Sequence, residues 1–156
     1  FPGVPLKIAF PHLQLTLLDS LKKRLVFLEA VVEELGLESV QLIHGRAEEA
    51  GRDAVHREQY DVAISRAVAR MNVLSEYCLP FVRIGGVFIA MKGGQAAEEV
   101  DESHRAVRRL GGSRVQCHAF SLPDGAGERM LCTVLKEKAT PAAYPRSPGI
   151  PAKKPL

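Results

Sequence analysis

No uninterrupted apolar run in this chain is long enough to span a bilayer, so the sequence offers no transmembrane helix. The amino end lacks the charged, apolar and small-residue regions of a signal peptide, and it does not begin with Met. The chain is therefore expected to be cytoplasmic, and to be either processed or a fragment. Cysteine is scarce. Cys78, Cys117 and Cys132 are odd in number and form no C-x-x-C pair, which argues against a disulfide framework and for a reducing compartment.

Catalytic signatures are equally sparse. The five histidines, His12, His44, His56, His104 and His118, show no metal-type spacing with cysteine or acids, so no metal is expected. There is no G-x-S-x-G elbow, no phosphate-binding P-loop and no paired-carboxylate motif. A Tyr-x-x-x-Lys pair is also missing, because the residues four past Tyr60, Tyr77 and Tyr144 are Ile64, Phe81 and Pro148. That weakens one common class of nicotinamide oxidoreductase. No internal repeat is visible.

What is present suits one soluble domain. The 156 residues are long enough to bury a core, and 46% hydrophobic with 25% charged residues is ordinary for a globular protein. The net charge of +3 permits an acidic or nucleic-acid partner without demanding one.

Apolar periodicity alternates between strand and helix. Val4 to Phe10 reads as a short helix or turn among prolines, and Leu15-Thr16-Leu17-Leu18 as a strand ending at Asp19. Leu21, Leu25, Leu28, Val32 and Leu35 mark one helical face, which Gly36 ends. Val40 to Ile43 is a second strand, Ala47 to Ala50 a helical piece, and Tyr60 to Ile64 a third strand. A helix over Val73 to Phe81 follows. Gly85-Gly86 then turns the chain into Val87 to Met91, apolar on both faces like a buried parallel strand. A polar helix covers Ala96 to Leu110. The Pro123-Asp124-Gly125 turn between the last two strands predicts an antiparallel hairpin.

From Thr140 the chain is rich in proline, basic and free of acids, and it is expected to be an extended tail, neither helix nor central strand. The expected organisation is thus a domain over residues 1–139 and a basic, proline-rich tail over 140–156. The fold class is α/β, a Rossmann-like, mostly parallel sheet ending in an antiparallel hairpin. Ligands in such sheets bind beyond the carboxyl ends of the strands, after Leu18, Ile43, Ile64 and Met91.

Asp19 stands at the first of these ends. Its carboxylate can accept hydrogen bonds from both hydroxyls of a bound ribose, or it can cap the following helix together with Ser20. Both readings fit the local sequence, and the wider pattern favours the ribose. Lys22, Lys23 and Arg24 fill the first turn of that helix, where each cation opposes the helix dipole at a cost of about 0.3–1 kcal/mol. Phosphate binding would account for them, as would a plain solvated face. Gly45-Arg46-Ala47-Glu48 follows the second strand, where the Ala47 amide and the Glu48 side chain could address an adenine edge or simply start a helix. Arg66 and Arg70 follow the third strand and suit a carboxylate, a phosphate or a stacked base, with structural ion pairing as the competing role. Lys92 lies beside Gly93-Gly94, where glycines also simply end strands.

These segments together resemble a known family. Phe1-Pro2-Gly3-Val4-Pro5-Leu6-Lys7-Ile8, Leu17 to Arg24, His44-Gly45-Arg46-Ala47-Glu48-Glu49 and Ser65 to Arg70 are similar to the RsmG family, also called GidB. So are Leu79 to Val82, Met91-Lys92 and the tail from Tyr144 to Leu156, in order and spacing along the whole chain. The resemblance implies a class I methyltransferase that uses S-adenosylmethionine to make 7-methylguanosine in 16S ribosomal RNA. It places Phe1, Ala47, Glu48 and Arg66 at the cofactor, with Asp19 near the ribose. Lys22, Lys23, Arg24, Arg70, Lys92, Arg146, Lys153 and Lys154 are the candidate RNA contacts. The family carries a further strand, ending in Asp and glycines, before the position of Phe1, so the first strand is expected to be missing from this chain. The reaction needs no general base, because guanine N7 has an in-plane lone pair and no proton. A nicotinamide-dependent oxidoreductase and a non-catalytic RNA-binding module are the competing readings.

Overall fold

The computed structural model describes residues 2–66, 68–94 and 96–156, and the chain divides into two compact units, 1–47 and 48–156. In the first unit, helix α1 (Gly3–Ala9) leads to strand β1 (Leu15–Asp19), helix α2 (Lys22–Glu34) and strand β2 (Val40–His44). The two strands pair in parallel, Leu15 opposite Val40 through Asp19 opposite His44. Helix α2 packs on that pair. The expected apolar face holds in its middle, where Leu25 is buried, while Leu21 and Leu35 at its ends are exposed. Gly36 ends the helix at φ +57°, a conformation that glycine adopts without a Cβ penalty. Lys7 is buried, and its ammonium donates to the carbonyls of Pro11 and Leu13, closing the loop before β1.

The second unit follows from the short helix α3 (Ala47–Ala50). It contains strand β3 (Tyr60–Arg66), helix α4 (Met71–Cys78) with a 3₁₀ turn over Leu79–Phe81, strand β4 (Val82–Gly93), helix α5 (Ala97–Arg109), and strands β5 (Gln116–Ser121) and β6 (Glu128–Leu135). Its sheet runs β3-β4-β6-β5. β3 and β4 are parallel, and β6 is antiparallel to both β4 and β5. The α/β class and the closing hairpin are as the sequence predicts. Alternate residues of the central strands, Phe88 and Ala90 on β4 with Cys132 and Val134 on β6, are fully buried. They join Val100 and Val107 of α5, Leu110 just past its end, and Met71 and Leu74 of α4 in one apolar cluster. Burying a side chain the size of Phe88 contributes about 1.5–3 kcal/mol.

Two expectations need correction. Gly85-Gly86 is not a turn before a strand but a bulge within one, since Tyr60 pairs with Val82 and Val62 already with Val87. A Cβ on Gly86 would lie 2.6 Å from the Asp61 carbonyl oxygen, so backbone proximity fixes this glycine. Nor is the tail simply extended. It contains the short helix α6 (Ile150–Lys153), with Pro151 in its first turn, and Thr140, Pro145 and Pro151 are buried. Prolines leave carbonyls without partner N–H groups, and distant arginines supply the donors. Arg57 donates to the carbonyls of Thr140, Pro141 and Tyr144, and Arg52 to those of Ala143 and Pro145. Among the described residues no helix is long and apolar enough to cross a membrane.

Candidate functional site

In the first unit the site residues gather where β1 and β2 end. The Asp19 carboxylate accepts the Leu21 N–H at 2.8 Å and, at 3.3 Å, an Arg24 N–H. The Asp19 carbonyl accepts the Gly45 N–H, and His44 Nε2 lies 3.2 Å from the Ser20 carbonyl oxygen. The residue at the helix boundary is Leu21, and no side chain caps α2. Asp19 therefore holds the turn into the helix without capping it. Its carboxylate is partly exposed, with one short hydrogen bond and one long one, which leaves acceptor capacity for further donors. Lys22, Lys23 and Arg24 are exposed on the first turn of α2. Ala47 begins α3. Phe1 lies outside the described residues.

In the second unit the carboxyl ends of β3 and β4 lie side by side, with Arg66 opposite Met91. Arg66 is exposed. Lys92, by contrast, points inward: its ammonium donates to the Ala69 carbonyl at 2.6 Å and to Glu99 at 2.7 Å. The same Glu99 oxygen accepts the Met71 N–H, serving the start of α4 from a neighbouring helix. Arg70 pairs with Glu102, and both side chains are about half exposed, 57% and 53%. The sequence offers Glu99 only as a carboxylate suited to an early helical turn. Its reach to another helix depends on the packing of α4 against α5.

Three expected ligand residues are engaged elsewhere in this unit. Lys92 is held by the Ala69–Glu99 network. Glu48 is buried, and its Oε1 accepts the Gly149 N–H at 2.9 Å. Arg146 donates through its backbone N–H, Nε and Nη2 to Glu76, whose side chain is 1% exposed. This hydrogen bonding raises the Arg146 guanidinium further above its usual range. Lys153 and Lys154 remain exposed at the end of the tail. A shallow depression runs along the polar side of α5 past Asp101, Glu102, Arg105 and Arg108, and among the described residues none of the expected site residues lines it.

A second buried hub lies away from the strand ends. Lys136 is fully buried, and its ammonium donates to the carbonyls of Leu79 and Val82 and to Thr140 Oγ1. Burial pulls its pKa below the usual lysine value, against the opposing hydrogen bond to Glu58. Glu58 also accepts the Thr140 N–H, which ties the start of the tail to the sheet. Among the described residues no group of three or more histidines, cysteines or acids could hold a metal ion.

Comparison with known proteins gives this arrangement a family. Residues 1–131 match the family model described as GidB, rRNA small subunit methyltransferase G. The whole chain is 51% identical to a ribosomal RNA small subunit methyltransferase G from Brevibacillus brevis, covering 66% of that protein. It is 55% identical to the protein of the same name from Alkaliphilus metalliredigens, covering 65% of it. The chain thus spans just under two thirds of the length of these relatives. Among solved structures, a SAM-dependent O-methyltransferase from Thermotoga maritima superposes with a TM-score of 0.60 at 12% identity, over 83% of this chain and 52% of that one. That likeness supports the fold alone, a class I methyltransferase fold. The chain belongs to the GidB family of rRNA small subunit methyltransferases G.

Proposed function

We propose that the protein methylates N7 of a guanine in 16S ribosomal RNA, with S-adenosylmethionine as donor and S-adenosylhomocysteine and 7-methylguanosine as products. The observation that carries this reading is the family match over residues 1–131, with about half of all positions identical to relatives of that name. The donor and acceptor chemistry of the chain fits the cofactor: Asp19 has acceptor capacity to spare at a strand end, as a vicinal ribose diol requires. When bound, the cofactor supplies a methyl group on a cationic sulfur, which an unprotonated ring nitrogen attacks directly.

No residue has to remove a proton from guanine N7, so the protein's work is to bind and align. Asp19 accepts the ribose hydroxyls. The Ala47 amide, Arg66, Phe1 and Glu48 are assigned to cofactor binding by family resemblance; Glu48, whose Oε1 accepts the Gly149 N–H, takes part only by sharing that carboxylate. Lys22, Lys23, Arg24, Lys153 and Lys154 are exposed cations suited to phosphate. Arg70 can join them, because a half-exposed pair with Glu102 is worth only about 0–1 kcal/mol and exchanges readily. Lys92 and Arg146 are left out of the RNA surface, since their charges are already neutralised inside the unit.

The test is methyl transfer from labelled S-adenosylmethionine to small-subunit RNA or particles by the intact protein, followed by digestion to nucleosides. Label in 7-methylguanosine is expected. RNA binding without incorporation would instead favour an RNA-binding module, and NADH affinity without S-adenosylhomocysteine affinity would favour an oxidoreductase.

A further inference from the structure

Cys117 and Cys132 stand directly opposite each other on β5 and β6. Their sulfur atoms are 2.9 Å apart, with the Cys117 thiol donating to Cys132. The ladder defines what kind of pair this is. The Leu122 N–H donates to the Gly127 carbonyl at the hairpin end, so Leu122 and Gly127 form a hydrogen-bonded pair. Hydrogen-bonded and non-hydrogen-bonded pairs alternate along an antiparallel ladder, and the register from Ser121–Glu128 to Gln116–Thr133 is unbroken. Counting inward, Cys117–Cys132 is a non-hydrogen-bonded pair, the kind whose Cα atoms approach to about 4.5 Å. That spacing lies within the range a disulfide accepts, about 4.4–6.8 Å.

The two thiols are unequal in access. Cys117 is exposed on the edge strand, beside a shallow groove lined by Ala97, Asp101, His104, Arg114 and Met130, and Cys132 is fully buried beneath it. An accessible attacking thiol with a buried partner in contact is the arrangement of an attacking and a resolving cysteine. Cys78 lies elsewhere, packed against the core on α4, with no sulfur partner among the described residues.

We propose that Cys117 and Cys132 are a dithiol site that reacts as a pair with low-molecular-weight disulfides, closing to a cross-strand disulfide. Cys117 gives its proton to solvent, and its thiolate attacks one sulfur of the small disulfide. That S–S bond breaks, and the first small thiolate leaves and takes a proton from water. Cys132 then gives its proton to solvent, and its sulfur attacks Cys117 Sγ. The mixed S–S bond breaks, and the second small thiolate leaves and is protonated. The protein loses two electrons and two protons, and the small disulfide is reduced to two thiols.

The Cys132 thiol is pushed up to about 12, first by burial and then by the neighbouring Cys117. Capture of Cys117 in the mixed disulfide removes the second influence. The contact between the sulfurs supplies the proximity that makes the second step intramolecular.

The test treats the intact chain with oxidised glutathione and follows intact mass and disulfide-mapped peptides. Wild type is expected to lose two hydrogens, retain no glutathione, show a Cys117–Cys132 linkage, and return to its original mass with dithiothreitol. Cys132→Ser is expected to retain one glutathione on Cys117, and Cys117→Ser to take up none at Cys132. A wild-type chain that keeps glutathione on Cys117, links Cys78 instead, or does not react overturns the proposal. The wild-type peptide map decides the matter even if either variant fails to fold.

Discussion

At the scale of single residues, the most consequential side chain is the Asp19 carboxylate. Its hydrogen bond to Leu21 fixes where it stands, and its spare acceptor capacity is what a ribose would use. Hydrogen bonds to a charged group are worth about 1.5–3 kcal/mol, so Asp19→Ala is expected to weaken S-adenosylhomocysteine binding roughly ten- to a hundredfold. Calorimetric titration of the intact protein measures this, with Asp19→Asn as the variant that keeps an acceptor for Leu21. An unchanged dissociation constant for Asp19→Ala refutes the ribose role. The position of Asp19 is legible in the sequence because strand periodicity locates strand ends. The commitment of Lys92 to Glu99 is not, because it depends on how the chain turns back between β4 and α5 to bring two residues seven positions apart into contact.

At the scale of elements, helices and strands are legible from apolar period, and the hairpin from its Pro-Asp-Gly turn. The bulge at Gly85-Gly86 is not, since it depends on the close approach of the Asp61 backbone. The ordered tail escapes a sequence reading for a similar reason. Its prolines reduce its internal hydrogen-bonding capacity, and further donors to its carbonyls come from Arg52 and Arg57, more than eighty residues earlier. Substitutions at Arg146 and at the Lys153–Lys154 pair separate its structural and electrostatic roles. Arg146→Ala strands the buried Glu76 carboxylate and should cost about 3–5 kcal/mol in urea unfolding, as breaking a buried pair does. Arg146→Lys should recover only part of this, because an ammonium cannot reproduce the forked contact. Lys153→Ala with Lys154→Ala should leave stability within about 0.5 kcal/mol of wild type. The double variant should still lower RNA affinity. It should also reduce the slope of log affinity against log salt by about 0.7–0.9 for each phosphate it no longer neutralises. Unchanged salt dependence removes these lysines from the RNA surface.

At the scale of the whole molecule, buried titratable groups set how stability varies with pH. Burial pushes the Cys78 thiol up to about 12, from an ordinary value of 9.0. Between those values the unfolded chain ionises this thiol while the native chain keeps it protonated. The native state then holds more protons, so the Cys78 contribution is fully present below pH 9.0 and is lost as pH rises towards 12. Lys136 acts in the opposite sense. Its ammonium is lowered by burial, so from that lowered value up to 10.5 the unfolded chain holds the extra proton and stability rises with pH. A bare stability profile mixes these opposing slopes, whereas the difference between wild type and Cys78→Ala isolates the thiol. Any packing loss in the variant shifts that difference by a constant, and the contributions of Lys136 and Cys132 cancel. Under reducing conditions, the stability advantage of wild type over Cys78→Ala should shrink by on the order of 1 kcal/mol per pH unit between about pH 9 and 11, one proton's worth of linkage. A difference that stays flat across that range would mean that Cys78 ionises as freely in the native protein as in the unfolded chain.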